Sequence, residues 1–147
     1  MANSKYADIL EQSSVPKKVW KTALYLRLSR DDGTESESNS IASQREILKE
    51  YIKRYPDMEI YDIYVDDGYS GTNFDRPDFN RMMDDIYAHK VNCVLVKDLS
   101  RFSRNHTEGG IYLDKIFVKL GVRFIAINNQ IDIGIRGINS FNDLVKV

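Results

Sequence analysis

Five consecutive residues carry the first chemical suggestion in this chain: Tyr25-Leu26-Arg27-Leu28-Ser29, at the end of a run that reads as a β-strand. Alternation puts Leu24, Leu26 and Leu28 on one face and Tyr25, Arg27 and Ser29 on the other. The strand opens a strand–helix alternation, which predicts a buried central strand, apolar on both faces. An arginine inside such a strand is costly unless an anion or a hydrogen-bond network receives it. A serine at the carboxyl end of a strand, on the arginine's face, stands where open α/β sheets bind ligands. The working expectation is that Ser29 attacks a phosphorus atom while Arg27 holds the phosphate. A serine hydroxyl is a weak nucleophile at neutral pH, and no Ser–His–Asp arrangement is evident. Nearby guanidinium groups would favour its ionised form and offset charge growing on the phosphoryl oxygens.

Other cations cluster after the third predicted strand. Lys97 stands at its end, and Arg101 and Arg104 follow, three apart, so on a helical turn they share a face. Paired planar guanidinium forks suit a phosphate. A solvated basic loop is the plainer reading of Arg-x-x-Arg, but Phe102 between the arginines and the buried strand before them weigh against it. Arg76 precedes Pro77 at a predicted helix amino end, which attracts anions; a salt bridge to Asp75 or Asp78 is the duller alternative. Gln44, in the first turn of a helix, either hydrogen-bonds a phosphate, positions a neighbour, or is simply a polar surface group. Asp66 and Asp67 either position an arginine, assist proton transfer, or shape the turn at Gly68. Most of the nine tyrosines fall at helix-face or strand positions and read as core or interface residues; Tyr25 is the exception.

The elements that must position these groups follow from periodicity. Strands are predicted over Val19–Ser29, Met58–Asp66, Val91–Val96 and Val122–Ile127. Helices are predicted over Ser40–Tyr55, from Pro77 to about His89, and from a Thr107 cap to Leu120, where Gly121 stops the chain. Ile131, Ile133 and Ile135 alternate and could pair as a short extra strand. Residues 30–39 and 97–105 read as loops. The expectation is one α/β domain: a mostly parallel central sheet of four to five strands with helices on both faces. Residues 1–18 read as a flexible leader, 19–139 as the domain, and 140–147 as the start of a long helix cut short.

Bulk properties narrow the function. With 42% apolar and 29% charged residues, the 147-residue chain is globular rather than disordered. Its net charge of −1 does not announce a nucleic-acid binder, so any anion site must come from local clustering. One cysteine, Cys93, and two histidines are too few for a Cys/His zinc site. The single cysteine suits a reducing compartment, and no run is long enough to span a bilayer. A cytoplasmic protein without a cofactor or metal is expected.

Four ordered motifs then meet: Tyr25-Leu26-Arg27-Leu28-Ser29; Ser40-Ile41-Ala42-Ser43-Gln44; Asp67-Gly68-Tyr69-Ser70-Gly71 with Asp75-Arg76-Pro77; and Leu95-Val96-Lys97-Asp98-Leu99-Ser100-Arg101-Phe102-Ser103-Arg104. Together they closely resemble the catalytic domain of the serine recombinases, the resolvase/invertase superfamily, over about Lys21 to Ile133. The insertion between Ser29 and Gln44 resembles the large serine recombinases of mobile elements. The resemblance implies that Ser29 is the nucleophile and that Arg27, Arg76, Arg101 and Arg104 surround the scissile phosphate. Tyr25, Gln44 and Asp66 become supporting residues. It implies double-stranded DNA attachment sites as substrate, a 5′-phosphoserine intermediate, and a tetramer that exchanges strands and religates them. The full-length protein is then expected to work as a dimer and tetramer, with this fragment able to stand as a monomer. Lys97 joins Arg27, Arg76, Arg101 and Arg104 as an expected DNA contact. Many relatives carry aspartate directly before the first arginine of the last motif; here Ser100 stands there, with Asp98 nearby.

Two other classes compete. A phospho-receiver module shares this architecture, and Asp66, Asp67 and Lys97 suit it, but it needs its acidic magnesium pocket beside the first and third strands, and here the first strand ends in Arg-Leu-Ser. A phosphodiesterase would hydrolyse without religation.

Overall fold

The computed structural model describes residues 18–29 and 39–134. The expected leader up to residue 17, the loop at 30–38, Ile135 and the helix from Ser140 lie outside the described residues.

Five strands form one sheet: β1 (Trp20–Leu28), β2 (Met58–Asp67), β3 (Cys93–Val96), β4 (Arg123–Ala126) and β5 (Ile131–Ile133), in the order β2-β1-β3-β4-β5. All neighbours run parallel except β4 and β5. The antiparallel β5 is the short strand foreseen from Ile131 and Ile133. The chain moves outward from β1 to β2, then crosses back to β3. The order therefore reverses between β1 and β3, and a crevice opens at the carboxyl ends of these two strands. Ser29 directly follows one of them and Lys97 the other.

Each face of β1 serves a different core, as its alternation predicts. Leu24 and Leu26 pack with Leu48 and Ile52 of helix α1 (Ile41–Lys53) and with Cys93, Leu95 and Ile125 of the sheet. Ala23 and Tyr25 join Phe79, Met82, Met83 and Ile86 of α2 (Pro77–Tyr87), together with Leu113 and Phe117. Each such aliphatic or aromatic side chain contributes roughly 1.5–3 kcal/mol when fully buried. The helices thus flank the sheet on both faces.

Side-chain caps fix the helix starts. Ser40 Oγ accepts the Ser43 N–H at 3.1 Å to start α1. Pro77 opens α2 at its first position, but Arg76, the capping residue, offers no acceptor. A carboxylate from the neighbouring strand does so instead: Asp66 accepts the N–H groups of Asp78 and Phe79, both at 2.9 Å. The stretch read as a loop after β3 contains a single helical turn, α3 (Leu99–Phe102), capped by Asp98. Four residues are too few to show a period. The next helix, α4 (His106–Ile111), is capped by Asn105 rather than Thr107: its side chain accepts the N–H groups of Thr107 and Glu108, each at 3.1 Å. It continues through a π-helical turn (Tyr112–Ile116) into α5 (Phe117–Leu120), which ends at Gly121 in the left-handed region at φ 70°. Among the described residues no helix is long and apolar enough to cross a membrane.

Candidate active site

The crevice beside β1 and β3 collects most of the polar residues singled out in the sequence. Arg27, Arg76, Gln44 and Tyr25 are fully buried, and Asp66, Arg101, Lys97 and Ser29 nearly so. No buried side-chain nitrogen or oxygen among the described residues lacks a hydrogen-bond partner. That is how so much polarity survives in the interior.

The guanidinium of Arg27 grips the segments after β2 and β3. Its Nε donates to the Arg101 carbonyl at 3.1 Å, one Nη to Tyr69 O at 2.9 Å, and the other to Ser100 O at 2.5 Å. Arg101 returns the contact: its Nη1 donates to the Arg27 carbonyl at 2.9 Å. Its Nε lies 3.4 Å from Asp98, and its Nη2 reaches Ser100 Oγ at 3.1 Å. Ser100 Oγ in turn pairs closely with the Asp98 carboxylate. Asp98 therefore caps α3 and orients Arg101 at once. Asp is a preferred helix-capping residue type, and that was the one available signal for this role.

Arg76 makes no salt bridge with Asp75 or Asp78. It donates to the carbonyls of Asn73 at 3.0 Å and Phe102 at 2.7 Å, more weakly to that of Arg101 at 3.4 Å, and to Tyr25 Oη at 3.0 Å. Its charge lies 4.5 Å from the Phe74 ring centre and 4.9 Å from that of Phe79, within cation–π range. The Tyr25 hydroxyl donates to Asp66 at 2.7 Å, completing a chain Arg76–Tyr25–Asp66–α2. Burial holds the Tyr25 hydroxyl protonated well above the usual tyrosine range; Arg76 opposes this and Asp66 reinforces it.

Gln44 is buried, not a surface group. Its amide clasps the backbone of Arg27 like a short piece of strand, accepting from Arg27 N at 3.3 Å and donating to Arg27 O at 3.0 Å. It also donates to Asn39 O at 2.8 Å, and Asn39 Oδ1 receives Lys97 Nζ at 2.6 Å. Asn39 thus joins α1 to the end of β3, a role with no advance signal in a loop rich in Asn, Ser and Glu.

Arg101 and Arg104 do not share a helical face. Ser103 is extended, at φ −159° and ψ 139°, so α3 ends between them. Arg101 is buried and Arg104 exposed. The Arg104 N–H donates to Gly71 O at 2.7 Å, which ties it to the loop that also binds Arg27. The structure thus gathers Tyr25, Arg27, Gln44, Asp66, Arg76 and Arg101 into one hydrogen-bonded unit, with Ser29 two residues beyond Arg27. Lys97 joins it through Asn39, and Arg104 through Gly71. No group of three or more His, Cys, Asp or Glu among the described residues is arranged to hold a metal ion.

This fold and these motifs define a class. A profile of the family described as "Resolvase, N terminal domain" matches residues 22–137, and the chain belongs to that family, the catalytic domain of the serine site-specific recombinases. The N-terminal catalytic domain of TP901-1 integrase is 32% identical, with a TM-score of 0.69 over 76% of this chain and 81% of that one. A resolvase family site-specific recombinase from Streptococcus pneumoniae is 35% identical, with a TM-score of 0.67 over 86% and 84%. The C-terminal catalytic domain of ISC1926 TnpA, an IS607-like serine recombinase, shares the fold at 21% identity and a TM-score of 0.60, over 73% and 70%. A search of curated proteins finds no match.

Proposed function

We propose that Ser29 is the nucleophile of a DNA strand transfer. Its Oγ forms a bond to the scissile phosphorus as the bond from phosphorus to the 3′-oxygen breaks. The serine proton leaves, and the departing oxygen ends as a 3′-hydroxyl. A 5′-phosphoserine ester keeps the energy of the broken linkage, so religation is the same displacement reversed and needs no high-energy cofactor. The substrate is double-stranded DNA at attachment sites, and the outcome is integration or excision of a mobile element by paired and then tetrameric subunits. With that substrate and a lone buried cysteine, we place the protein in the cytoplasm.

The observation that carries this reading is the reach of Arg101. Its guanidinium is held on the carbonyl of Arg27, two residues before Ser29, at the switch point of the sheet. A phosphate brought to Ser29 meets a prearranged cation there, with Arg104 on the exposed side and Lys97 at the neighbouring strand end. Such preorganised donors act where charge develops in the transition state. Arg27 and Arg76 stand behind, adding positive charge while their donors hold the carbonyls of residues 100–102. Tyr25, Gln44 and Asp66 keep both arginines in register.

The test is covalent trapping. The full-length protein incubated with a nicked duplex carrying the attachment site is expected to give a protein–DNA adduct that mass spectrometry locates on Ser29. Ser29→Ala should bind the duplex and form no adduct; an adduct in that variant would overturn the assignment. Replacing Arg101 or Arg104 by Ala should slow cleavage by roughly two to three orders of magnitude, as with lost oxyanion donors.

A further inference from the structure

Glycines in turns are commonly required by a left-handed backbone, and Gly68 is such a case, at φ 94°. Gly71, three residues on, is not: its φ lies outside the left-handed region. Its reason for lacking a side chain is spatial. A Cβ built there would stand 2.6 Å from Arg27 Nη2, 2.8 Å from Arg27 Cζ and 3.0 Å from Arg104 Cγ. Non-bonded carbon atoms settle at about 3.5–4.0 Å.

The tip of an arginine ordinarily gives way to such an intrusion at little cost. Arg27 is not in that position. It is fully buried and held by the carbonyls of Tyr69, Ser100 and Arg101. Arg104 is constrained on the other side, because its N–H is bonded to Gly71 O. The bare face of Gly71 is thus the common wall against which both arginines rest.

We propose that Gly71 is a positioning residue that sets the approach of Arg27 to Arg104 across the site. The inference rests on the strand-transfer reading given above. A methyl group here displaces one guanidinium or separates the two side chains by a few tenths of an ångström to an ångström. Misplacements near 1 Å cost reactions about 100-fold.

The experiment is the single-turnover rate of adduct formation by the full-length chain on the same nicked duplex, run beside thermal melts. Gly71→Ala is expected to slow adduct formation about 100-fold. Gly68→Ala is the control. It strains the same loop through its positive φ, but its Cβ meets nothing within 4 Å, so melting falls while the rate of the folded protein holds. The specific readout is a cycle with Arg27→Lys, which removes the two nearest atoms that Gly71 faces and leaves only Arg104 Cγ. In that background Gly71→Ala should cost little further in rate, and its loss of melting temperature should shrink. Equal losses in both backgrounds would overturn the proposal, as would a wild-type rate for Gly71→Ala beside a slow Arg27→Lys. If Gly71→Ala does not fold alone, Arg27→Lys must restore its folding, and failure to do so has the same meaning. A wild-type rate for Arg27→Lys would instead refute the arginine-cluster reading, and this inference with it.

Discussion

Arg76 offers the sharpest test of how the site is held together. In Arg76→Ala, the buried carbonyls of Arg101 and Phe102, the buried Tyr25 hydroxyl and the carbonyl of exposed Asn73 lose a charged donor. Hydrogen bonds to a charged group contribute about 1.5–3 kcal/mol each. The three at 2.7–3.0 Å would give roughly 5–9 kcal/mol if summed on that scale. The sum overstates the effect, because the variant no longer has to desolvate a guanidinium. Leaving the buried Phe102 carbonyl and Tyr25 hydroxyl without their charged donor costs about 1–3 kcal/mol each, so the expected loss is about 4 kcal/mol. For a domain of this size it corresponds to a fall in melting temperature of roughly 10–15 °C. Arg76→Lys should recover little, since an ammonium cannot reproduce the planar fork. The assay is urea unfolding followed by fluorescence of Trp20, the only tryptophan, buried at the far end of β1. Arg104→Ala is the companion, expected within about 0.5 kcal/mol of wild type as an exposed substitution. A loss below about 1 kcal/mol for Arg76→Ala would refute the claim that this arginine anchors α3.

Two further expectations follow from the same geometry. Asp66→Ala removes the substitute cap of α2 and strands the buried Tyr25 hydroxyl, for a combined cost of about 2–4 kcal/mol; amide exchange at Asp78 and Phe79 should accelerate, and unchanged exchange there would count against the cap. Alkaline conditions should destabilise the domain, because burial pushes the Cys93 thiol up to about 12, while Tyr51 is raised to about 12 chiefly by burial and then by its neighbour Tyr55. The unfolded thiol ionises near pH ~8.5 and the native one does not, so the unfolded state binds fewer protons above that pH and stability falls until about pH 12. Cys93→Ala should flatten the slope of urea midpoint against pH between pH 8.5 and 10.5; an unaltered slope would show that the thiol does not contribute.

Much of this architecture was legible because its signals are local. The two-residue alternation of β1 identified which side chains face each core, and the apolar run of β3 marked an internal strand. The proline at the first position of α2 marked a helix start. Legibility ended where one segment's polar groups are satisfied by another's. Nothing in the residues around Gln44 says that its amide will pair with the backbone of Arg27, seventeen positions earlier. The cap of α2 comes from a different strand, and the first-turn acid Asp78 instead accepts the Val65 N–H of β2. For Arg101 and Arg104 the spacing was right and the inference wrong, because one extended residue, Ser103, cancels helical phase. The residue types of the cluster were visible in the sequence; its internal wiring was not.

Phe102 gives the segment after β3 an uneven mechanical character. Its ring touches Phe74, Phe79, Tyr112, Phe117 and Phe124, with centroids 4.9–6.2 Å away. It acts as a rivet driven through the middle of the basic motif into the densest aromatic part of the molecule. Arg101, on the near side of that rivet, cannot travel without prising the ring out, whereas Arg104, two residues past it, is held only beyond the ring, by its backbone N–H to Gly71 O, with its side chain on the exposed side. On the strand-transfer reading proposed above, the inner arginine is the fixed reference and the outer one lies on the side open to a DNA backbone.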